Sequence, residues 1–116
     1  MFVYPIEMAQ PTELLKGTLG LLILRTLELE PRHGVGIADR IEQITKGTFN
    51  VKAGSLFPAL HRLEQEGFIA GEWSVTEAGR RIKAYRLTPA GRQQLIAEKK
   101  QWARIVSAVG LVLESD

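Results

Sequence analysis

Cysteine is absent from this chain of 116 residues. That excludes disulfides, thiolate zinc sites and cysteine nucleophiles, and it fits a reducing cytoplasm. Long apolar runs are absent too. Leu19 to Leu24 is closed by Arg25, and the longer stretch from Leu14 contains Lys16, so nothing here can cross a bilayer as a helix. Residues 1–10 have no basic lead and no long apolar core, so no secretory signal is expected. No repeat and no low-complexity tract occurs.

The ingredients of an active site are missing as well. His33 falls in a loop between Pro31 and Gly34, and His61 falls on a helix. Neither has a carboxylate or cysteine at metal-ligand spacing. No serine occupies a nucleophile elbow, and no carboxylates are paired. Gly34-Val35-Gly36 lacks the rest of a phosphate-cradling fingerprint and reads as a turn between helices. An enzyme, a metal and a cofactor are therefore not expected. Net charge is only +2, so any preference for an anionic partner must come from charge placement.

That placement is uneven. Between Gly79 and Arg92 stand Arg80, Arg81, Lys83, Arg86 and Arg92, with no acidic residue. A local field of one sign is what a phosphate backbone attracts. Lysine and arginine also guard exposed strand edges, so the neighbouring elements must decide between the two roles.

Hydrophobic content of 45% with 24% charged residues suits one compact domain. Thr12, followed by Glu13, predicts the start of a first helix that runs to about Leu29. Its leucines and isoleucines cover more than one face, so it should be central or shared with a second subunit. Pro31 and Gly34 close it. Ile37, Ile41 and Ile44 predict the buried face of a second helix over 36–46, ended by Gly47. Phe49 to Val51 reads as a short strand.

A third helix is predicted over Ser55 to Glu66, with Leu56, Leu60 and Leu63 inward. Ser55 as its cap would put Pro58 in the first turn, where the missing N–H costs little. Phe68 to Val75 and Arg80 to Leu87 then form a hairpin around Thr76-Glu77-Ala78-Gly79. Thr88-Pro89 starts a last helix that runs to about Leu113. Its stripe of Leu95, Trp102, Ile105, Val109 and Val112 exceeds what a small domain can cover, which suggests pairing with another subunit.

The architecture is thus mainly α with a small β-hairpin. A winged helix-turn-helix domain over 12–88 is followed by a dimerisation helix over 89–114. In such a fold the helix before the hairpin enters the major groove and the hairpin lies on the adjacent backbone. Ser55, Pro58, His61, Arg62 and Gln65 lie on or near the side of that helix away from the core and can meet DNA. Arg80, Arg81 and Lys83 form the wing, and Lys52 precedes the helix where phosphate would pass. Trp102, facing its mate across a two-fold axis, would make a flat slot for an aromatic effector.

Three segments, LLKGTLGLLILRTLE at 14–28, GSLFPALHRLEQEGFI at 54–69 and RRIKAYRLTPAGR at 80–92, resemble the PadR family of bacterial transcriptional regulators. Together they cover most of the chain from Leu14 to about Trp102, and the helix motif combined with YRLTPAG is quite specific. The resemblance implies a homodimer that represses nearby genes, with some members released from DNA by small aromatic compounds. It carries the DNA-binding role to Ser55, Phe57, His61, Arg62, Arg80, Arg81 and Lys83. The family commonly has tyrosine where Phe57 stands here, so a hydroxyl contact to phosphate is lost. The single helix after the wing resembles the compact members. A winged-helix module for protein contacts is the alternative expectation.

Overall fold

The computed structural model describes residues 17–116. Thr12 and the expected first turns of the opening helix lie outside them. Within them the order is α1 (Leu19–Leu29), β1 (Arg32–His33), α2 (Gly34–Ile44), α3 (Ala53–Gln65), β2 (Ile69–Val75), β3 (Arg81–Leu87) and α4 (Pro89–Leu113). This is the winged helix-turn-helix expected, with three strands, one of them not where the sequence suggested.

The core forms around α1. Leu19, Ile23, Leu24 and Leu27 are buried against Ile37 and Ile41 of α2, Leu56, Leu60 and Leu63 of α3, and Ile69, Tyr85 and Leu87 of the sheet. Each helix contributes the apolar face that its i, i+3/i+4 spacing dictates. Ile44 continues the spacing of α2 but, as the last residue of the helix, is 53% exposed and lies outside the core.

Two expectations about local structure are corrected. Phe49 to Val51 is loop, not strand; Val51 is buried there as a plug into the core. The segment after α1 is not a plain turn. Arg32 and His33 pair with Tyr85 and Ala84 as an edge strand, and Gly34-Val35-Gly36 is already the first turn of α2.

The sheet order is β1-β3-β2, antiparallel throughout. Residues 76–80 close the hairpin. Thr76 N–H donates to the Arg80 carbonyl at 2.8 Å, Gly79 N–H donates to the Thr76 carbonyl at 2.9 Å, and Gly79 takes φ +80, where a side chain would be strained. This turn fixes the register, placing Gly71 opposite Tyr85, Trp73 opposite Lys83 and Val75 opposite Arg81. One face of the hairpin therefore begins as core, at Ile69 and Leu87, and ends as an open cationic and aromatic surface at its tip.

The junction into α4 explains the Thr-Pro-Ala-Gly run. The Thr88 hydroxyl accepts from Gly91 N–H at 3.0 Å and donates to the Gly67 carbonyl at 2.6 Å. Pro89 occupies the first helical position, where no N–H is needed. Gly91 is buried, and a Cβ there would lie 2.0 Å from the Phe68 carbonyl oxygen. The motif is a weld between wing and helix.

Only Gly91 and Leu95 of α4 are buried. The helix then leaves the body of the domain; with it, the principal extents are 59 × 32 × 23 Å. Glu28 of α1, whose pKa is lowered chiefly by its hydrogen bond from Arg25, also reaches Lys99 at 3.7 Å. Trp102, Ile105, Val106, Val109, Leu111, Val112 and Leu113 are all exposed. No helix among the described residues is long and apolar enough to cross a membrane.

Candidate nucleic-acid interface

Helix α3 starts two residues earlier than its sequence suggests. Lys52 is the cap residue and makes no side-chain cap bond. Its carbonyl accepts from Ser55 and Leu56 N–H. Ser55 is therefore inside the first turn rather than at the cap, and Pro58 lies one turn deeper than expected. Its missing N–H leaves the Gly54 carbonyl without an intrahelical donor, at a position where Gly54 and Pro58 are both exposed and water can supply one.

With Leu56, Ala59, Leu60 and Leu63 buried, the 3.6-residue period divides the rest of α3 into three strips. Gly54, Pro58, His61 and Gln65 form the strip farthest from the core. Phe57 and Glu64 flank it on the wing side. Ser55 and Arg62 flank it on the other. Arg62 borders a depression of about 270 Å³ shared with Glu66 of α3, Gly20 of α1 and Glu98 of α4. It is exposed but separated from the wing cations.

On the wing, Arg80 lies in the turn and Arg81 opens β3. Both are exposed, and no carboxylate lies within ion-pair distance of either among the described residues. The Arg81 guanidinium stacks over the Trp73 ring, 4.6 Å from its centroid. Trp73 is 56% exposed. No sequence signal marked it as part of the site, because its partners depend on hairpin register.

Lys83 has a different place. Its ammonium donates to Glu64 of α3 at 2.8 Å, with both side chains largely covered. It also lies 5.6 Å from the Trp73 ring and 5.4 Å from the Tyr85 ring. The Glu64 hydrogen bond raises the Lys83 pKa above the usual lysine value, while burial raises the Tyr85 phenol. Lys83 thus ties wing to helix, and its charge is already compensated. Gly71 makes room for it, since a Cβ there would come within 2.3 Å of Lys83 Cε.

The strips of α3 and the wing meet in a cleft of about 410 Å³ lined by His33, Val35, Phe57, Trp73, Arg81, Lys83 and Tyr85, among others. Phe57, 46% exposed, lays its ring edge on Gly34, where a methyl group would come within 2.9 Å of Cε1. The structure therefore brings Phe57, Arg81 and Lys83 together, with Arg80 at the adjoining turn. Pro58 and His61 lie on the neighbouring strip, Lys52 stands at the helix start, and Ser55 and Arg62 face away from the cleft.

The residues expected at a subunit interface divide too. Leu95 is 1% exposed and belongs to its own subunit's core, which corrects its expected place on the pairing face. Trp102, Ile105 and Val109 remain half-exposed. Trp102 borders a shallow depression of about 110 Å³ with Thr18 and Leu21 of its own first helix.

Comparison with known proteins agrees with this geometry. Residues 23–97 match the Transcriptional regulator PadR-like family. A PadR family transcriptional regulator from Eggerthella lenta is similar in structure, with a TM-score of 0.80, 31% identity, and coverage of 90% of this chain and 89% of that one. A PadR-like transcriptional regulator from Bacillus cereus has a TM-score of 0.75 at 28% identity, covering 90% of this chain and 99% of that one. A transcriptional regulator of Mycobacterium tuberculosis is 35% identical over 68 residues, 59% of this chain and 60% of that protein.

Proposed function

The chain belongs to the PadR-like family of transcriptional regulators, DNA-binding regulators rather than enzymes, and we propose that it acts in the cytoplasm as a homodimeric repressor. Each subunit presents the Gly54, Pro58, His61 and Gln65 strip of α3 to a major groove. Lys52 meets phosphate at the helix start, and Arg80 and Arg81 grip the backbone or minor groove beside it. Phe57 contributes apolar contact. Two-fold symmetry then calls for a pseudo-palindromic operator with half-sites about 34–36 Å apart. The exposed stripe of Trp102, Ile105 and Val109 on α4 supplies the pairing face, and two Trp102 rings across the axis form a slot for a small aromatic effector. Such a ligand acts by favouring one angle between subunits, since only differential affinity shifts an equilibrium.

The observation that carries the DNA reading is the pair of uncompensated cations, Arg80 and Arg81, exposed at the wing beside the solvent face of α3. Its test is the double variant Arg80→Glu, Arg81→Glu, titrated onto labelled DNA from upstream of the chain's own gene. Removing two phosphate contacts should flatten the dependence of log K on log salt by about 1.8. Affinity should fall at least about tenfold while the oligomeric state holds. Unchanged affinity and slope would transfer the wing to protein contacts.

A further inference from the structure

Helix α3 carries a single acidic residue, Glu64. A carboxylate on a helix that faces phosphate opposes binding unless its charge is used elsewhere. Here it accepts from the Lys83 ammonium at 2.8 Å. The fold makes room for the pair. A Cβ on Gly71 would come within 2.3 Å of Lys83 Cε and 3.1 Å of Glu64 Oε2, so glycine at that position clears space for both side chains. The rings of Tyr85 and Trp73 lie 5.4 and 5.6 Å from the ammonium. Less than a third of either side chain is exposed.

The other wing cations are left open. Arg80, Arg81 and Arg86 are exposed, and none has a carboxylate within ion-pair distance among the described residues. The one cation that is tied lines the cleft between wing and α3, where a backbone strand would pass if α3 entered a major groove. A contact to phosphate carries no sequence information, and each one steepens the dependence of log K on log salt by about 0.9. Released from Glu64, Lys83 would add such a contact on any DNA. The tie also holds the wing to α3. Arg80 and Arg81 therefore keep a fixed register with the base-facing strip, and only a matched site makes use of that register.

We infer that Glu64 is a positioning residue that sets specificity: it withholds Lys83 from phosphate and locks the wing to the recognition helix. Sequence-independent affinity stays low while the matched site keeps its contacts. The role rests on the DNA-binding reading above.

The test compares the full chain with Glu64→Gln, Lys83→Gln and the double variant, each verified as folded by circular dichroism. Fluorescence anisotropy follows binding to labelled DNA from upstream of the chain's own gene, and to scrambled DNA, between about 50 and 200 mM salt. Glu64→Gln should bind scrambled DNA more tightly, with a slope steeper by about 0.9 for each engaged subunit. Its advantage over the parent should then grow about 3.5-fold per subunit across that salt range, and its preference for the native fragment should narrow. Lys83→Gln should keep the parent's slope, and the double variant should return to it. A tie that only supports the fold would weaken both single variants alike and leave every slope equal, which overturns the inference. So does a flatter slope in Lys83→Gln, which would put Lys83 on phosphate despite Glu64. A steeper slope with undiminished preference overturns the specificity role. A parent chain that binds neither fragment overturns the DNA-binding reading and this role with it. A parent that binds, beside a Glu64→Gln chain of the same slope, removes the role of Glu64 alone.

Discussion

Two glycines of α4 should respond in opposite directions to the same added methyl group. At Gly91 a Cβ would sit 2.0 Å from the Phe68 carbonyl oxygen and 2.7 Å from Leu87 Cδ1. A carbon and a carbonyl oxygen ordinarily approach no closer than about 3.3 Å, so the helix start must retreat by more than about 1 Å. The carbonyl is not free to yield, because it accepts from Thr88 N–H at 3.1 Å. Overpacking of this kind costs about 1–3 kcal/mol, and straining the Thr88 cap adds up to about 1 kcal/mol. Better helix propensity returns at most about 1 kcal/mol. The net loss for Gly91→Ala is about 1–3 kcal/mol, or a melting temperature lower by about 5–12 °C in a chain of this size. Gly110 has nothing within 4 Å of its notional Cβ. There the propensity gain stands alone, and Gly110→Ala should melt about 2–4 °C higher. Thermal circular dichroism at one fixed protein concentration measures both, since the proposed dimerisation would make melting concentration-dependent. If Gly91→Ala melted at or above the parent chain, the close approach of α4 to the wing would not be a constraint on the fold.

The wing tie yields a prediction in alkali. Lys83 is raised above its ordinary 10.5 by the Glu64 hydrogen bond, so the stability it confers is full below that value and is lost as pH rises through the raised one. Urea unfolding should separate the parent from Glu64→Gln by under about 1 kcal/mol at neutral pH, given the partial exposure of the pair. The two should converge once pH passes the raised Lys83 value, and a gap that persisted beyond it would remove the ion pair as its cause. On α4, Ile105 is 45% exposed; covering that remainder in a dimer contributes about 0.7–1.4 kcal/mol per subunit. Counted twice across the two-fold, Ile105→Asn should raise the dimer dissociation constant about 10- to 100-fold by sedimentation equilibrium, and an unmoved constant would take Ile105 out of the interface.

Periodicity made the inner faces legible and left their ends obscure. Leu56, Leu60 and Leu63 announced the buried side of α3, yet its start was misread because Ser55 is a strong cap residue by type and the helix begins before it without a side-chain cap. Leu95 fits the apolar stripe of α4 as well as Ile105 does. Its burial follows from the close packing at Gly91, which no spacing rule reveals. A two-residue strand such as Arg32–His33 is too short to show alternation, and Pro31 masked it as a helix stop. The tie between Glu64 and Lys83 spans 19 positions and depends on hairpin register. That register was set by a turn whose hydrogen bonds fixed the pairing of Trp73 with Lys83. The wing cations were visible as charge; which of them was free was not.

Past Leu95 no side chain of α4 is buried within its own subunit. That half of the helix is therefore nearly unconstrained by the interior, and its apolar positions can drift without unfolding the body that carries them. Under the proposed dimer, a genome holding several copies of this architecture would risk mixed pairs that bring unlike recognition helices to one operator. A protruding helix offers duplicated genes a route out: a few changes to its stripe separate one lineage of partners from another, while the groove-facing surface stays as it was.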